Sequence, residues 1–346
     1  MVAQAIESTA PASEPTGTTR RKRVFSGMQP SGNLHLGNYL GALRNWVVQQ
    51  DQSENVFCVV DLHALSLPTD PVELKASTLE LATTFLAAGI DPAQSILFVQ
   101  SDVREHAEAT WLMSSVTQFG ELRRMIQFKD KAAGREDVSA ALLTYPVLQA
   151  CDIILYDTEL VPVGEDQKQH IELARDIAHR FNTRYGETFV LPKADIKPEG
   201  ARIMALDNPA KKMSKSTGTP AGVIYLIDEP DAIRKKVRRA VTDSGSEVRS
   251  GPDKPALNNL LTIFSLLSGR SVADVEADYV GKGYGAFKAD LAEVVVEALS
   301  PIRERLAALN ANPDEVRRVL TDGADRARAI AGPKVDLMRD RMGLGI

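Results

Sequence analysis

Two stretches of this chain combine residue types suited to phosphate chemistry. The first runs Phe25-Ser26-Gly27-Met28-Gln29-Pro30-Ser31-Gly32-Asn33-Leu34-His35-Leu36-Gly37-Asn38. It reads as a strand, a Gly/Pro/Ser loop and a helix start, which puts free backbone N–H groups and the positive end of a helix dipole where a phosphate could sit. His35 and Asn38 add side-chain donors at the same place. Gly37 and Gly41 stand one turn apart on that helix, and each costs about 1 kcal/mol relative to Ala. A flat group such as a purine lying against the backbone accounts for them. A close helix–strand contact ended by a histidine accounts for the spacing equally well, and neither a Walker A run nor G-x-G-x-x-G is present to decide. The second stretch is Lys211-Lys212-Met213-Ser214-Lys215-Ser216-Thr217-Gly218. Three lysines among small hydroxyl residues on a loop would make a movable cationic clamp for a polyphosphate leaving group. Taken alone, the same run favours a solvated linker.

Short apolar runs alternate with longer amphipathic ones through the first two hundred residues, the pattern of a mostly parallel sheet flanked by helices. Residues 24–26, 56–61, 96–101 and 159–163 read as strands. Residues 36–50 read as one helix, with Leu36, Tyr39, Leu40, Leu43, Trp46 and Val47 on a single face at a 3.6-residue period. Residues 74–89 read as another, ended by Gly89 with Pro92 beyond. His170, Ile171, Ala174, Ile177, Ala178 and Phe181 mark a third, entered from Gly164-Glu165-Asp166, whose acidic start suits the helix dipole. Past residue 210 the β-type runs thin out and helical patterns dominate. The expected organisation is an extension over 1–23, an α/β domain over 24–210, a mobile loop over 211–219, a helical domain over 220–300, and closing helices over 301–346 that could belong to either body.

Composition sets wider limits. Of 346 residues, 44% are hydrophobic and 25% charged, as in ordinary globular proteins. The net charge of −5 rules out a surface built throughout to neutralise phosphate. Between Lys193 and Ala240, however, eleven basic residues face six acidic ones, so a segment of +5 is set in an otherwise acidic chain. Cys58 and Cys151 offer neither a disulfide framework nor a metal quartet, which fits a reducing compartment. Residues 1–20 lack the apolar core of a secretory signal, Glu7 and Glu14 argue against a transit peptide, and no window is apolar enough to span a membrane.

Taken together, His35-Leu36-Gly37-Asn38 and Lys212-Met213-Ser214-Lys215-Ser216 resemble the paired signature of class I aminoacyl-tRNA synthetases. Gln29-Pro30-Ser31-Gly32 and Gly164-Glu165-Asp166-Gln167-Lys168-Gln169-His170 are similar to the bacterial tryptophanyl-tRNA synthetases in particular, and the likeness runs from Val24 to Met342-Gly343-Leu344-Gly345. Asn38 stands where the signature has its second histidine, and a phosphate donor is retained.

The resemblance implies a Rossmann-like parallel-sheet nucleotide-binding domain with a smaller C-terminal α-helical domain. It implies ATP with Mg²⁺ bound by Gln29, Pro30, Ser31, Gly37, Asn38, Gly164, Glu165, Asp166, the backbone at Ile203, Lys212, Met213, Ser214, Lys215 and Ser216. Lys212, Lys215, Lys131 and His35 are its expected catalytic groups. For tryptophan it implies Asp152 as acceptor for the indole N–H, with Phe25, His63, Tyr145, Val161, Val163 and Gln167 around the ligand. Asp152 lies among Leu148, Cys151, Ile153, Ile154 and Leu155, and Pro146 suits the first turn of its helix. A carboxylate in such company needs a partner. A buried pair with an arginine is the plain alternative. Gln149 stands where some relatives carry methionine. The implied reaction is adenylation of tryptophan by ATP and transfer to tRNA(Trp), in a cytoplasmic homodimer. A tyrosyl enzyme shares fold and signatures, but a phenol calls for a Tyr–Asp pair rather than a lone carboxylate. Another nucleotidyltransferase of the superfamily and a catalytically silent relative are the remaining alternatives.

Overall fold

The computed structural model describes residues 20–134, 137–196, 202–215 and 219–345. Its centre is a parallel five-stranded sheet in the order β3-β2-β1-β4-β5, made by Arg23–Met28 (β1), Glu54–Val59 (β2), Ser95–Val99 (β3), Leu160–Pro162 (β4) and Lys193–Asp195 (β5). β1 pairs β2 along its whole length, Arg23 with Glu54 through Met28 with Val59. Between β1 and β4 the ladder holds one register pair, Val24 with Leu160. The strand order reverses at that seam, and in open α/β sheets ligands sit at the carboxyl ends of strands beside such a reversal. A small antiparallel hairpin, Met204–Ala205 (β6) and Asn208–Lys212 (β7), follows. Lys211 and Lys212, expected at the start of the mobile loop, therefore belong to a strand, while Ser216, Thr217 and Gly218 lie outside the described residues. Residues 1–19 of the expected extension also lie outside them. Its end, Arg20 to Arg23, is tied to the sheet: Arg20 pairs with Glu159 at 2.6 Å, and Arg23 pairs with Glu54 and donates to the Tyr156 carbonyl.

The expected helix over 36–50 is a composite: Leu36–Asn38 (α1), a π-helical segment Tyr39–Leu43, and Arg44–Gln49 (α2). Gly41 sits in the π segment, and a Cβ there would meet nothing. Such segments are rare and concentrate at functional sites. Next comes Pro71–Ala88 (α3), starting three residues before the expected 74 because Asp70 accepts from the Val72 and Glu73 N–H groups and Pro71 fits the first turn. Gly89 ends it in the left-handed region, φ +113°. Glu105–Ser114 (α4), Phe119–Arg124 (α5) and Ile126–Ala132 (α6) lead to Ala140–Ile154 (α7). Pro146 does not open α7; it lies inside it. Ser139 supplies the cap by accepting from Leu142 N–H at 3.2 Å, so the helix begins a turn and a half before the proline. Lys168–Tyr185 (α8) follows β4.

The remaining helices are Pro230–Arg239 (α9), Pro255–Ser268 (α10), Val272–Asp278 (α11), Tyr284–Ala311 (α12) and Pro313–Arg341 (α13). α12 runs through residue 300 unbroken and lies against α9 and α3; α13 returns to β3 and α4. That return is backbone on backbone, since a Cβ on Gly323 would fall 1.8 Å from the Leu97 carbonyl oxygen. Burial divides between the two faces of the sheet. One core joins Leu36, Trp46, Phe57 and Phe85 to Leu257, Phe264 and Phe287 of the helical part; the other joins Phe25, Cys58, Phe98, Cys151 and Phe181 to Ala327 and Ala331 of α13. Among the described residues no helix is long and apolar enough to cross a membrane.

Candidate functional site

A cavity of about 310 Å³ opens at the carboxyl ends of β1 and β4, with α7 as its back wall. Its lining mixes apolar Phe25, Trp46, Val60, Ile153, Val161 and Val163 with polar Ser26, Gln29, His63, Lys131, Tyr145, Gln149, Asp152 and Gln167. Gly27 is required at its floor, because a Cβ there would come within 2.9 Å of Val60 Cγ1. The residues that the sequence suggested for an aromatic amino acid, Asp152, Phe25, His63, Tyr145, Val161, Val163 and Gln167, all line this one space.

Asp152 is 1% exposed, yet neither lone nor paired with an arginine. Its Oδ1 accepts from Gln100 Nε2 at 2.6 Å and from His106 Nδ1 at 2.6 Å, and its Oδ2 accepts from His63 Nε2 at 2.8 Å. Burial pushes this carboxyl up, but the hydrogen bonds from His106 and His63 win and hold it at about 2. The site therefore carries a fixed negative charge at neutral pH, in an apolar wall where that charge is most strongly felt. Nearby, Tyr145 Oη lies 3.0 Å from His170 Nε2, and the Lys131 ammonium sits 5.1 Å above the Tyr145 ring. Burial raises the Tyr145 phenol to about 12 and lowers Lys131; burial and then Lys131 lower His170 to about 4. Gln149, where some relatives carry methionine, donates to Gln167 Oε1 at 3.5 Å and gives the wall a polar patch.

The loop after β1 leads from this cavity to the phosphate-type motif. His35 caps α1: its Nδ1 accepts from Asn38 N–H at 3.2 Å, while Asn38 Oδ1 accepts from His35 N–H at 3.2 Å. Burial, then Lys215 and Lys212, lower His35 to about 4, so it is neutral in use. A Cβ on Gly37 would lie 3.0 Å from His35 Nδ1, so any larger residue would press on the capping imidazole. Met213 is buried against this turn, its N–H donating to the Ile203 carbonyl at 2.9 Å. A buried methionine between Lys212 and Lys215 anchors the segment and leaves the lysines at its surface. Lys215 Nζ donates to the Ser31 carbonyl at 3.1 Å and to that of Gly32. Burial lowers its ammonium to about 8 against the opposing pull of Glu80. Lys215 is thus joined to the loop bearing Gln29, Pro30 and Ser31. Lys131 is not part of this cluster; it stands on the cavity wall.

Gly164 and Asp166 lie at the entry to α8, after β4. A Cβ on Gly164 would meet Asp166 Oδ1 at 2.7 Å, and Asp166 Oδ2 accepts from Gln167 Nε2 at 3.1 Å. Glu165 points outward and pairs with Lys168 at 3.6 Å. Among the described residues no group of three or more His, Cys, Asp or Glu could hold a metal ion. Sequence reasoning missed Trp46, which it assigned to a helix's buried face, and Ser26, Ser66 and Gln127 on the cavity wall. It also missed Gln100, His106 and Tyr156 behind Asp152. Gln100 and His106 reach the carboxylate across 52 and 46 residues of chain, and Tyr156, though four residues from Asp152, acts on it only through His106, so no local spacing announces the set.

Comparison with known proteins gives a consistent result. The family model for tRNA synthetases of class I (W and Y) matches residues 17–300. A tryptophan–tRNA ligase from Caldanaerobacter subterraneus subsp. tengcongensis is 54% identical over 324 residues, covering 93% of this chain and 98% of that protein. The crystal structure of tryptophanyl-tRNA synthetase from Mycoplasma pneumoniae superposes with a TM-score of 0.84 at 38% identity, covering 94% of this chain and 98% of that one. The enzyme from Campylobacter jejuni, complexed with ADP and tryptophan, gives 0.82 at 37% identity, with 93% and 100% covered.

Proposed function

Because the chain belongs to the class I tRNA synthetases of the tryptophan and tyrosine branch, we propose a division of labour among its residues for that family's reaction. The chain is a tryptophan–tRNA ligase: it binds ATP, activates L-tryptophan as the adenylate with release of pyrophosphate, and transfers the tryptophanyl group to the 3′ end of tRNA(Trp). The cavity between β1 and β4 holds tryptophan. The observation that carries this assignment is Asp152, a buried, ionised carboxylate at the end of an apolar slot. An indole N–H is a donor only, and a fixed carboxylate is its natural acceptor. Phe25, Val161 and Val163 flank the ring, Tyr145 and Gln167 face the polar end of the amino acid, and His63, bonded to Asp152 Oδ2, stands at the indole end instead of the ammonium end.

ATP enters as its Mg²⁺ complex and lies along the loop 29–32 and the start of α1. Asp166, beside Gly164, accepts from the ribose hydroxyls, and the open Gly41 leaves its face of the helix clear for the purine, Gly37 being packed against His35. The tryptophan carboxylate attacks the α-phosphorus in line, the new C–O–P linkage forms, and the α–β bridging bond breaks to release pyrophosphate with its negative charge. Lys212 and Lys215 take up charge growing on the β- and γ-phosphates. Lys131, over Tyr145, sits where the amino-acid carboxylate meets the α-phosphate. Positioning and charge stabilisation suffice for such a step, and no covalent nucleophile is needed. In the second step a terminal ribose hydroxyl of the tRNA attacks the adenylate carbonyl and AMP leaves.

The enzyme works as a homodimer in the cytoplasm. Trp111, Phe119 and Ile126, at 79%, 62% and 62% exposure on the successive helices α4, α5 and α6, are large apolar side chains that a second copy could cover. The basic α9 offers Lys235 and Arg238 to tRNA beside a groove against α12. Exchange of labelled pyrophosphate into ATP, run with all twenty amino acids, tests the reading. Exchange with tryptophan alone supports it; exchange with tyrosine alone, or with none, overturns it.

A further inference from the structure

Asp152 offers four lone-pair positions, two on each oxygen. Gln100 and His106 fill both positions on Oδ1, and His63 fills one on Oδ2. One acceptor position on Oδ2 remains. Gln100 and His106 are wholly buried and do not line the cavity, whereas His63 does. His106 is held in turn: its Nε2 lies 2.7 Å from Tyr156 Oη, and its ring packs in a three-ring cluster with Phe98 and Tyr156, the centroids 5.6 to 5.8 Å apart. Asp152 Oδ1 can only accept, so Nδ1 is the donor of that contact, and Nε2 is left to accept from the Tyr156 phenol, which is wholly buried and pushed up by burial. Tyr156 also stacks on Phe25 of the cavity wall, at 5.9 Å and 10° between planes.

We propose that His106, locked in one tautomer by Tyr156, is a positioning residue for tryptophan selection: it saturates Asp152 Oδ1 from behind, so that the carboxylate presents a single oriented acceptor, on Oδ2, to the substrate. The proposal rests on the assignment of the cavity to tryptophan. Without the His106 donor the carboxylate can turn about its Cβ–Cγ bond, spread its charge over two directions and accept a proton more readily. Selectivity for an N–H then falls even though the walls of the slot are intact.

The test compares tryptophan with 3-benzothienylalanine, in which sulfur replaces the indole N–H, in the pyrophosphate exchange assay. The wild-type enzyme is expected to prefer tryptophan strongly in kcat/KM. In His106→Leu that preference falls by about 10- to 100-fold, the worth of one hydrogen bond to a charged group. The fall comes through the tryptophan KM, with the KM for ATP unchanged. His106→Asn, which keeps an N–H near the Nδ1 position, restores the preference. Tyr156→Phe moves it in the same direction as His106→Leu and adds nothing to it, since both act through one proton. A merely structural role would depress both substrates alike, and that result, or an unchanged preference, overturns the proposal. Should His106→Leu fail to fold, Tyr156→Phe carries the same comparison. A wild-type enzyme indifferent between the two substrates overturns the assignment of Asp152 itself, and this proposal with it.

Discussion

Replacement of Asp152 by asparagine separates substrate recognition from folding. The amide has the shape of the carboxylate, and its carbonyl oxygen can keep the two bonds from Gln100 and His106. Its NH₂ then stands where Oδ2 now faces His63. His63 can adapt by presenting the unprotonated nitrogen of its other tautomer, so no buried group of the free enzyme is stranded. The indole cannot adapt, having a donor and no acceptor. Tryptophan loses a hydrogen bond to a charged group, worth about 1.5–3 kcal/mol, and brings two donors face to face, which leaves buried N–H groups unsatisfied at about 1–3 kcal/mol. The combined loss, about 2.5–6 kcal/mol, corresponds to a roughly 10²- to 10⁴-fold fall in kcat/KM for tryptophan. Tryptophan-dependent pyrophosphate exchange measures it, and a thermal melt on the same sample checks the fold. A kcat/KM within about threefold of wild type, with an unchanged melting temperature, would refute the reasoning.

Three further predictions follow from the same geometry. Lys215→Ala should slow adenylate formation about 10²-fold in single-turnover experiments while leaving tryptophan binding unchanged, because the ammonium acts on charge that grows as pyrophosphate departs. Gly323→Ala should destabilise the fold by several kcal/mol in denaturant titrations, because the new Cβ would fall 1.8 Å from the Leu97 carbonyl and α13 must move off β3. Stability should fall as pH drops from about 6.5 towards 4: His35 and His170 titrate at about 4 in the fold against 6.5 when free, so the unfolded chain binds more protons in that window. Asp152, held at about 2 against 3.8, adds a second loss between those two values, and the slope of unfolding free energy against pH reads both.

The sheet and its ligand crevice were legible because a parallel sheet needs continuous apolar runs, and 56–61 and 96–101 are such runs, each observed within two residues of its expected ends. The cavity residues were legible through resemblance more than through spacing: Asp152, His63 and Tyr145 lie far apart in the chain, and the fold brings them to one wall. Where local chemistry decided an end, the sequence reading slipped. Ser139 and Asp70 are ordinary caps that outweighed the more conspicuous Pro146 and Leu74 as markers of where helices begin. The π segment over Tyr39–Leu43 keeps nearly the same apolar face as an α-helix, so periodicity could not reveal it. The partners of Asp152 were least legible of all. A buried carboxylate announces that it needs donors, but Gln100 comes from the end of β3 and His106 from the start of α4, and only the packed structure selects them over an arginine.

The central claim is that Asp152 Oδ2 receives the indole N–H of tryptophan in the crevice between β1 and β4. A crystal structure of the tryptophan complex tests it directly. The account predicts the indole nitrogen about 3 Å from Oδ2, with the ring between Phe25 and Val161 and the carboxylate towards Lys131. An indole nitrogen turned away from Asp152, or tryptophan bound outside this cavity, would contradict it.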